Sequence, residues 1–216
     1  MDSLAPFSVA FALTIAAALS PVAAQTPVES VYTRLDLYGA KKLCKKTSGK
    51  TSDEEFGPSW RCSGAADISV FIHTEDIRDY VGFGRGAKSQ TNMFGVGAPG
   101  AVRDTVEWRG RKDAKGKFAP YAAITRMGFE NANAPREEWW SILVITRLAP
   151  NLRGSCVIAR VDSRANEDAN ELARRVADAW ATNERTPCPG SSEDAAFVGR
   201  VEGKWRGATT VPPPPQ

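Results

Sequence analysis

Four cysteines, Cys44, Cys62, Cys156 and Cys188, fall along the chain as two near pairs separated by a long gap. Four cysteines allow three connectivities. The local solution joins Cys44 to Cys62 and Cys156 to Cys188. Closing those loops would remove chain entropy worth about 3 and about 3.5 kcal/mol in the unfolded state. No pair has the CxxC spacing of a thiol oxidoreductase. Zinc is a poor alternative, because paired short spacings are missing and the single histidine excludes multi-His sites. Neither a metal nor a cofactor is expected.

Cystines need an oxidising compartment, and the N-terminus supplies an address. Phe7 to Leu19 is uncharged and apolar. Such a run reaches roughly 20 Å as a helix, short of the ~30 Å hydrocarbon core of a bilayer. Ser20 and Pro21 break it, and Val22-Ala23-Ala24 offers the small residues of a cleavage site. Residues 1–24 therefore read as a signal peptide, although Asp2 stands where a base is usual. No cysteine follows the cleavage point to carry a lipid, and no later stretch is apolar for long enough to span a bilayer. A periplasmic or secreted chain without a transmembrane segment is expected. Cleavage would leave 28 bases and 25 − 1 = 24 acids, a net charge of +4. That balance is too even for a nucleic-acid binder. With 42% hydrophobic and 25% charged residues the chain is globular in composition, not disordered or fibrous.

Residues 25–189 read as one domain. Strands are expected at 31–37, 67–73, 77–83, 104–109, 121–129, 139–148 and 155–161, and order resumes at Trp60-Arg61-Cys62. In DISVFIH, Ile68, Val70 and Ile72 share a face, and Ile77, Asp79, Val81 and Phe83 should pair back across Thr74-Glu75-Asp76. The segment WWSILVITRL is apolar on both faces, as a covered central strand should be. Ala169, Leu172, Ala173, Val176, Ala177 and Trp180 recur with helical spacing. Asn166 is placed to cap that helix, and Glu171 and Arg175 to pair across one turn. Residues 190–216, ending in four prolines, read as a disordered Pro-rich tail. The expected class is α+β: an antiparallel sheet of about seven strands, one C-terminal amphipathic helix on one face, two layers and two disulfides.

Chemistry is harder to find. His73 ends a strand beside Glu75 and Asp76, but no nucleophile motif such as GxSxG accompanies it. The glycines of 82–100 follow a strand without the helix that a phosphate-cradling loop requires. Gly49-Lys50-Thr51 ends like a P-loop, but Cys44 occupies the leading glycine position. The paired acids Glu54-Glu55, Glu75-Asp76 and Glu137-Glu138 would point to opposite faces of a strand. Two basic runs are more informative. One holds Lys41, Lys42, Lys45 and Lys46; the other holds Arg109, Arg111, Lys112, Lys115 and Lys117. Brought to one end of a sheet they would attract an anionic envelope component.

Several segments together carry a resemblance. They are Val31-Tyr32-Thr33 with Leu35-Asp36, Trp60-Arg61-Cys62-Ser63-Gly64, Asp76-Ile77-Arg78 leading to Val81-Gly82-Phe83-Gly84, Glu107-Trp108-Arg109, and Cys156 before Val161 to Arg174. The chain resembles a family of exported proteins of alphaproteobacteria with no assigned activity, over roughly residues 31–188. The resemblance implies a periplasmic setting and no site residues. The reading expected from all this is a non-enzymatic binding or interaction module of the envelope. Two alternatives stand beside it: a hydrolase with its site near His73 and the Gly82–Gly100 loop, and a small exported enzyme inhibitor presenting residues 84–100 as a rigid loop.

Overall fold

The computed structural model describes residues 26–37, 43–47, 57–95, 100–129, 140–189 and 195–198. The proposed signal peptide, Lys41, Lys42, the Glu54-Glu55 and Glu137-Glu138 pairs, and most of the proposed tail lie outside them.

Among the described residues there are ten strands and one helix: β1 (Glu29–Arg34), β2 (Cys44–Lys46), β3 (Ser59–Ser63), β4 (Ser69–Glu75), β5 (Arg78–Gly84), β6 (Gly100–Lys112), β7 (Phe118–Phe129), β8 (Trp140–Arg147), β9 (Cys156–Asp162), α1 (Ala169–Trp180) and β10 (Ala196–Val198). The order across the sheet is β10-β9-β8-β7-β6-β5-β4-β3-β2, and β1 pairs with β6. Pairing is antiparallel except at β9–β10 and at the single bridge between Arg78 and Gly100. The α+β class, the antiparallel sheet, the covering helix and both disulfides are as the sequence implies.

The count exceeds seven by three: β3 forms at Trp60-Arg61-Cys62, where order without a strand pattern is expected, and β2 and β10 are the other two. β2 and β10 are three residues each, too short to display an alternating pattern. β10 also lies within the segment read as a tail. Its parallel pairing with β9 (Phe197 opposite Arg160) follows from the helix between them, because parallel neighbours need a crossover.

The layers number three rather than two. β6 is the junction: residues 105–110 pair with β1, whereas only Gly100 pairs with β5. So weakly tied, the β2–β5 leaf packs by its side chains on one face of the main sheet. Trp60, Cys62, Val70, Ile72, Val81 and Phe83 of the leaf share a core with Val106, Trp108, Met127, Ile142 and Val144. Fully buried Trp108 meets the Phe83 ring edge-on at 5.5 Å and donates its indole N–H to Thr33 at 2.8 Å. A Cβ at Gly64 would collide with Trp108, so the leaf needs glycine there to approach. On the opposite face, Ala122, Ile124, Leu143, Ile145 and Val161 pack against Ala169, Ala173, Val176, Ala177 and Trp180 of α1. β8 thus faces a core on both sides, which is why it reads as continuously apolar.

Local details differ from expectation where turn and cap chemistry intervene. The β4–β5 turn is Asp76-Ile77 and not Thr74-Glu75-Asp76; both residues are left-handed (φ 46° and 60°), and Ile77 is 72% exposed in the turn instead of opening the strand. The tight pairing of Glu75 with Arg78 leaves two residues for the turn, and such a turn demands positive φ. Asn166 does not cap α1 through its side chain; its amide donates to the Asp162 carbonyl. Arg175 reaches Asp168 at 2.9 Å, and Glu171 pairs with Arg174 instead, at 3.3 Å.

Both cystines form as the local pairing implies, and no described cysteine is free. Cys44 and Cys62 are cross-strand partners in β2 and β3, with Cα atoms 4.0 Å apart. Cys156 opens β9 and Cys188 follows α1, so the second cystine holds the end of the helical excursion to the sheet.

Candidate functional site

The helix-covered face of the sheet carries a row of polar side chains beside its apolar stripe. In an antiparallel strand every second residue shares a face. Glu107 and Arg109 of β6 therefore face α1 while Val106 and Trp108 face the leaf core. Tyr32 and Ser30 of β1 stand opposite Glu107 and Arg109. On α1, Asn170, Arg174 and Asp178 recur every fourth residue, a period that keeps them on one side of a helix.

Each helix residue meets a sheet partner. Asp178 accepts two hydrogen bonds from Arg109, at 2.9 and 2.5 Å, and one from the Tyr121 hydroxyl at 2.6 Å. Arg174 donates to Glu107 at 2.7 Å and to the Tyr32 hydroxyl at 3.1 Å, while Ser30 also donates to Glu107. Asn170 accepts from Arg126 at 2.8 Å, and Arg126 also donates to the Ser141 hydroxyl at 2.6 Å. Glu107 raises the pKa of Arg174 through its hydrogen bond, and Asp178 does the same for Arg109. Burial, then the hydrogen bond to Asp178, pushes the Tyr121 phenol well above its ordinary value.

Beyond the first turn of the helix this row opens into a cleft of about 320 Å³. Its wall includes Tyr32, Arg103, Arg126, Asn170 and Arg174, and Ile124 and Leu143 contribute apolar surface. Arg103 belongs to an irregular stretch of β6, where the register with β7 slips between Val102 and Val106. Such a bulge re-aims side chains. The Arg103 guanidinium lies across Gly128 of β7, where a Cβ would run into it. Burial, followed by the charge of Arg103, lowers the pKa of Arg126.

The basic runs fare differently from this cleft. Arg109 is matched by Asp178, Lys112 by Glu29 at 3.3 Å and Lys117 by Asp67 at 3.1 Å. Arg111 donates to the Thr26 carbonyl. Lys45, Lys46 and Lys115 are exposed. The arginine cleft is a separate feature, built from residues that sequence reading passed over. Its signal was present as charged positions of alternate phase inside strands and the four-residue recurrence of Asn170, Arg174 and Asp178. An amphipathic pattern alone assigns such residues to solvent.

His73 lies on the outer face of the leaf, opposite Ile72, as expected. Its cross-strand partner is Ser59, whose hydroxyl is 2.9 Å from Nδ1, while Nε2 is 3.9 Å from Glu75. The serine is fourteen residues away and came to light only through the strand register. The imidazole bonds the hydroxyl directly, but the carboxylate stands beyond hydrogen-bond reach. The neighbouring loop folds back on β5: Phe94 pairs with Val81, and Gln90 and Thr91 donate backbone N–H groups to the Phe83 carbonyl. Residues 90–94 are thereby tied to β5, while Arg85, Gly86, Ala87 and Lys88 are exposed, and residues 96–99 lie outside the described residues. Among the described residues no group of three or more His, Cys, Asp or Glu is placed to hold a metal, and no helix is long and apolar enough to cross a membrane.

No family model, no curated protein and no solved structure matches this chain.

Proposed function

We propose that this chain is an exported, disulfide-stabilised binding module of the bacterial envelope, periplasmic or secreted, that holds an anionic partner and does not turn over a substrate. The carrying observation is the pair of closed cystines: a chain with all four cysteines oxidised fits a compartment outside the cytoplasm. The apolar leader over residues 1–24 and the resemblance to exported alphaproteobacterial proteins support the same setting. Exposed Lys45, Lys46 and Lys115, with Lys41 and Lys42 close in sequence, supply a positive surface for an anionic envelope polymer.

The test is expression of the full chain in a Gram-negative host, followed by fractionation and intact mass under non-reducing conditions. The expected species begins at Gln25, lies in the periplasm or medium, and has lost four hydrogens to its cystines. An unprocessed cytosolic chain with four alkylatable thiols refutes the reading. Retention on heparin at low salt should fall in the Lys41/Lys42/Lys45/Lys46→Ala variant, and identical elution removes those lysines from the binding surface.

A second reading, a hydrolase, is favoured by the Ser59–His73 hydrogen bond alone. It requires His73→Ala to abolish a cellular function while leaving stability intact. Unchanged function removes it.

A further inference from the structure

Among the described residues, two of the positive charges in the cleft beside α1, Arg103 and Arg126, have no acid paired to them. Among the described residues Arg103 makes no hydrogen bond or ion pair, and Arg126 donates to the neutral Ser141 and Asn170. Two acids line the cleft and a third stands beside it, and all are engaged elsewhere: Asp104 by Arg34 at 2.7 Å, and Glu107 and Glu171 by Arg174. Two adjacent guanidiniums, both partly buried, repel each other and gain nothing for the fold by their proximity. Yet the fold accommodates them, through a break in the β6 register and a glycine that gives Arg103 room to lie across β7. A ligand would supply the missing negative charge.

We propose that this cleft binds a small phosphate monoester, with its head between Arg103 and Arg126 and its organic body against Ile124 and Leu143. A monoester carries about −1.5 to −2 charges at neutral pH, matching two guanidiniums, whereas a carboxylate supplies one. Guanidinium forks suit a head with several acceptor oxygens. Arg126 retains N–H groups beyond those given to Ser141 and Asn170, and Arg103 retains all five. The cleft volume lies at the small end of ligand sites, which points to a free small molecule. This proposal is independent of the lysine surface and of the compartment.

The experiment is calorimetric titration of the oxidised protein with phenyl phosphate, with benzoate as the singly charged analogue of similar size. Phenyl phosphate should bind saturably, and benzoate at least tenfold more weakly. Arg103→Gln should weaken phenyl phosphate about tenfold or more, as loss of a charge-assisted contact does. Gly128→Ala, which keeps both charges but displaces Arg103, should weaken it comparably. Arg153→Gln removes one charge from the exposed turn after β8, at the strand end away from Ser141, and should leave binding unchanged. Circular dichroism verifies the fold of each variant; if Arg103→Gln fails to fold, Arg103→Lys, which keeps the charge but loses the guanidinium fork, takes its place and should weaken phenyl phosphate severalfold. Absence of saturable binding at millimolar ligand, equal affinity for benzoate, or undiminished affinity in folded Arg103→Gln and Gly128→Ala overturns the proposal.

Discussion

Replacing Asp178 with alanine should cost this protein much of its stability. The Arg109 side chain is 11% exposed and that of Asp178 is 31% exposed, so the substitution leaves a nearly buried guanidinium without its acid. Breaking a buried pair costs about 3–5 kcal/mol, and the partial opening at Asp178 lets water soften this to about 2–3. The Tyr121 hydroxyl loses its acceptor as well, adding about 1 kcal/mol. A total of about 3–4 kcal/mol, at a urea dependence near 2 kcal/mol/M, lowers the unfolding midpoint by roughly 1.5–2 M. The measurement is urea unfolding of the oxidised protein, followed by far-ultraviolet circular dichroism and tryptophan fluorescence. The double variant Arg109→Met/Asp178→Leu removes both charges, and its stability should return to within about 1 kcal/mol of the parent. A single-variant loss below about 1 kcal/mol, or a double variant weaker than the single one, would refute the reasoning that a desolvated charge sets the cost.

Trp108→Ala should destabilise by about 3–5 kcal/mol, read as a midpoint shift in the same urea titration, because it empties the seam between leaf and sheet. Because the Tyr121 pKa is raised in the fold, its contribution is fully present below the unfolded value near 10 and is lost as pH climbs beyond it. Urea midpoints measured from about pH 8 to 11.5 should therefore fall at the alkaline end, and less steeply in Tyr121→Phe. Cys44→Ser/Cys62→Ser should lose about 3 kcal/mol, checked by thermal unfolding against the parent with both cystines intact.

How far the sequence could carry these conclusions depended on the range of the governing interaction. The α1 stripe and the two-faced apolarity of β8 are short-range patterns, and both match the structure. The cystine pairing was legible because each pair is close in sequence. β10 was not, since its partner β9 is supplied by a crossover and its own three residues carry no period. The Asp76-Ile77 turn misled because an isoleucine with positive φ contradicts residue preference, and only the cross-strand register imposes it. The cleft was invisible for a related reason. Arg103, Arg126 and Asn170 come from two strands and a helix, and a register slip and a bare glycine, not any motif, bring them together.

Neither cystine crosses the boundary at Gly100. One lies wholly inside the β2–β5 leaf, and the other fastens β9 of the main sheet to the segment after α1. The molecule is therefore cross-linked like two separately riveted plates laid face to face, with the rivets parallel to the joint and none driven through it. Whatever pries the plates apart, whether pulling force or solvent, works against the grip of packed apolar side chains and not against sulfur.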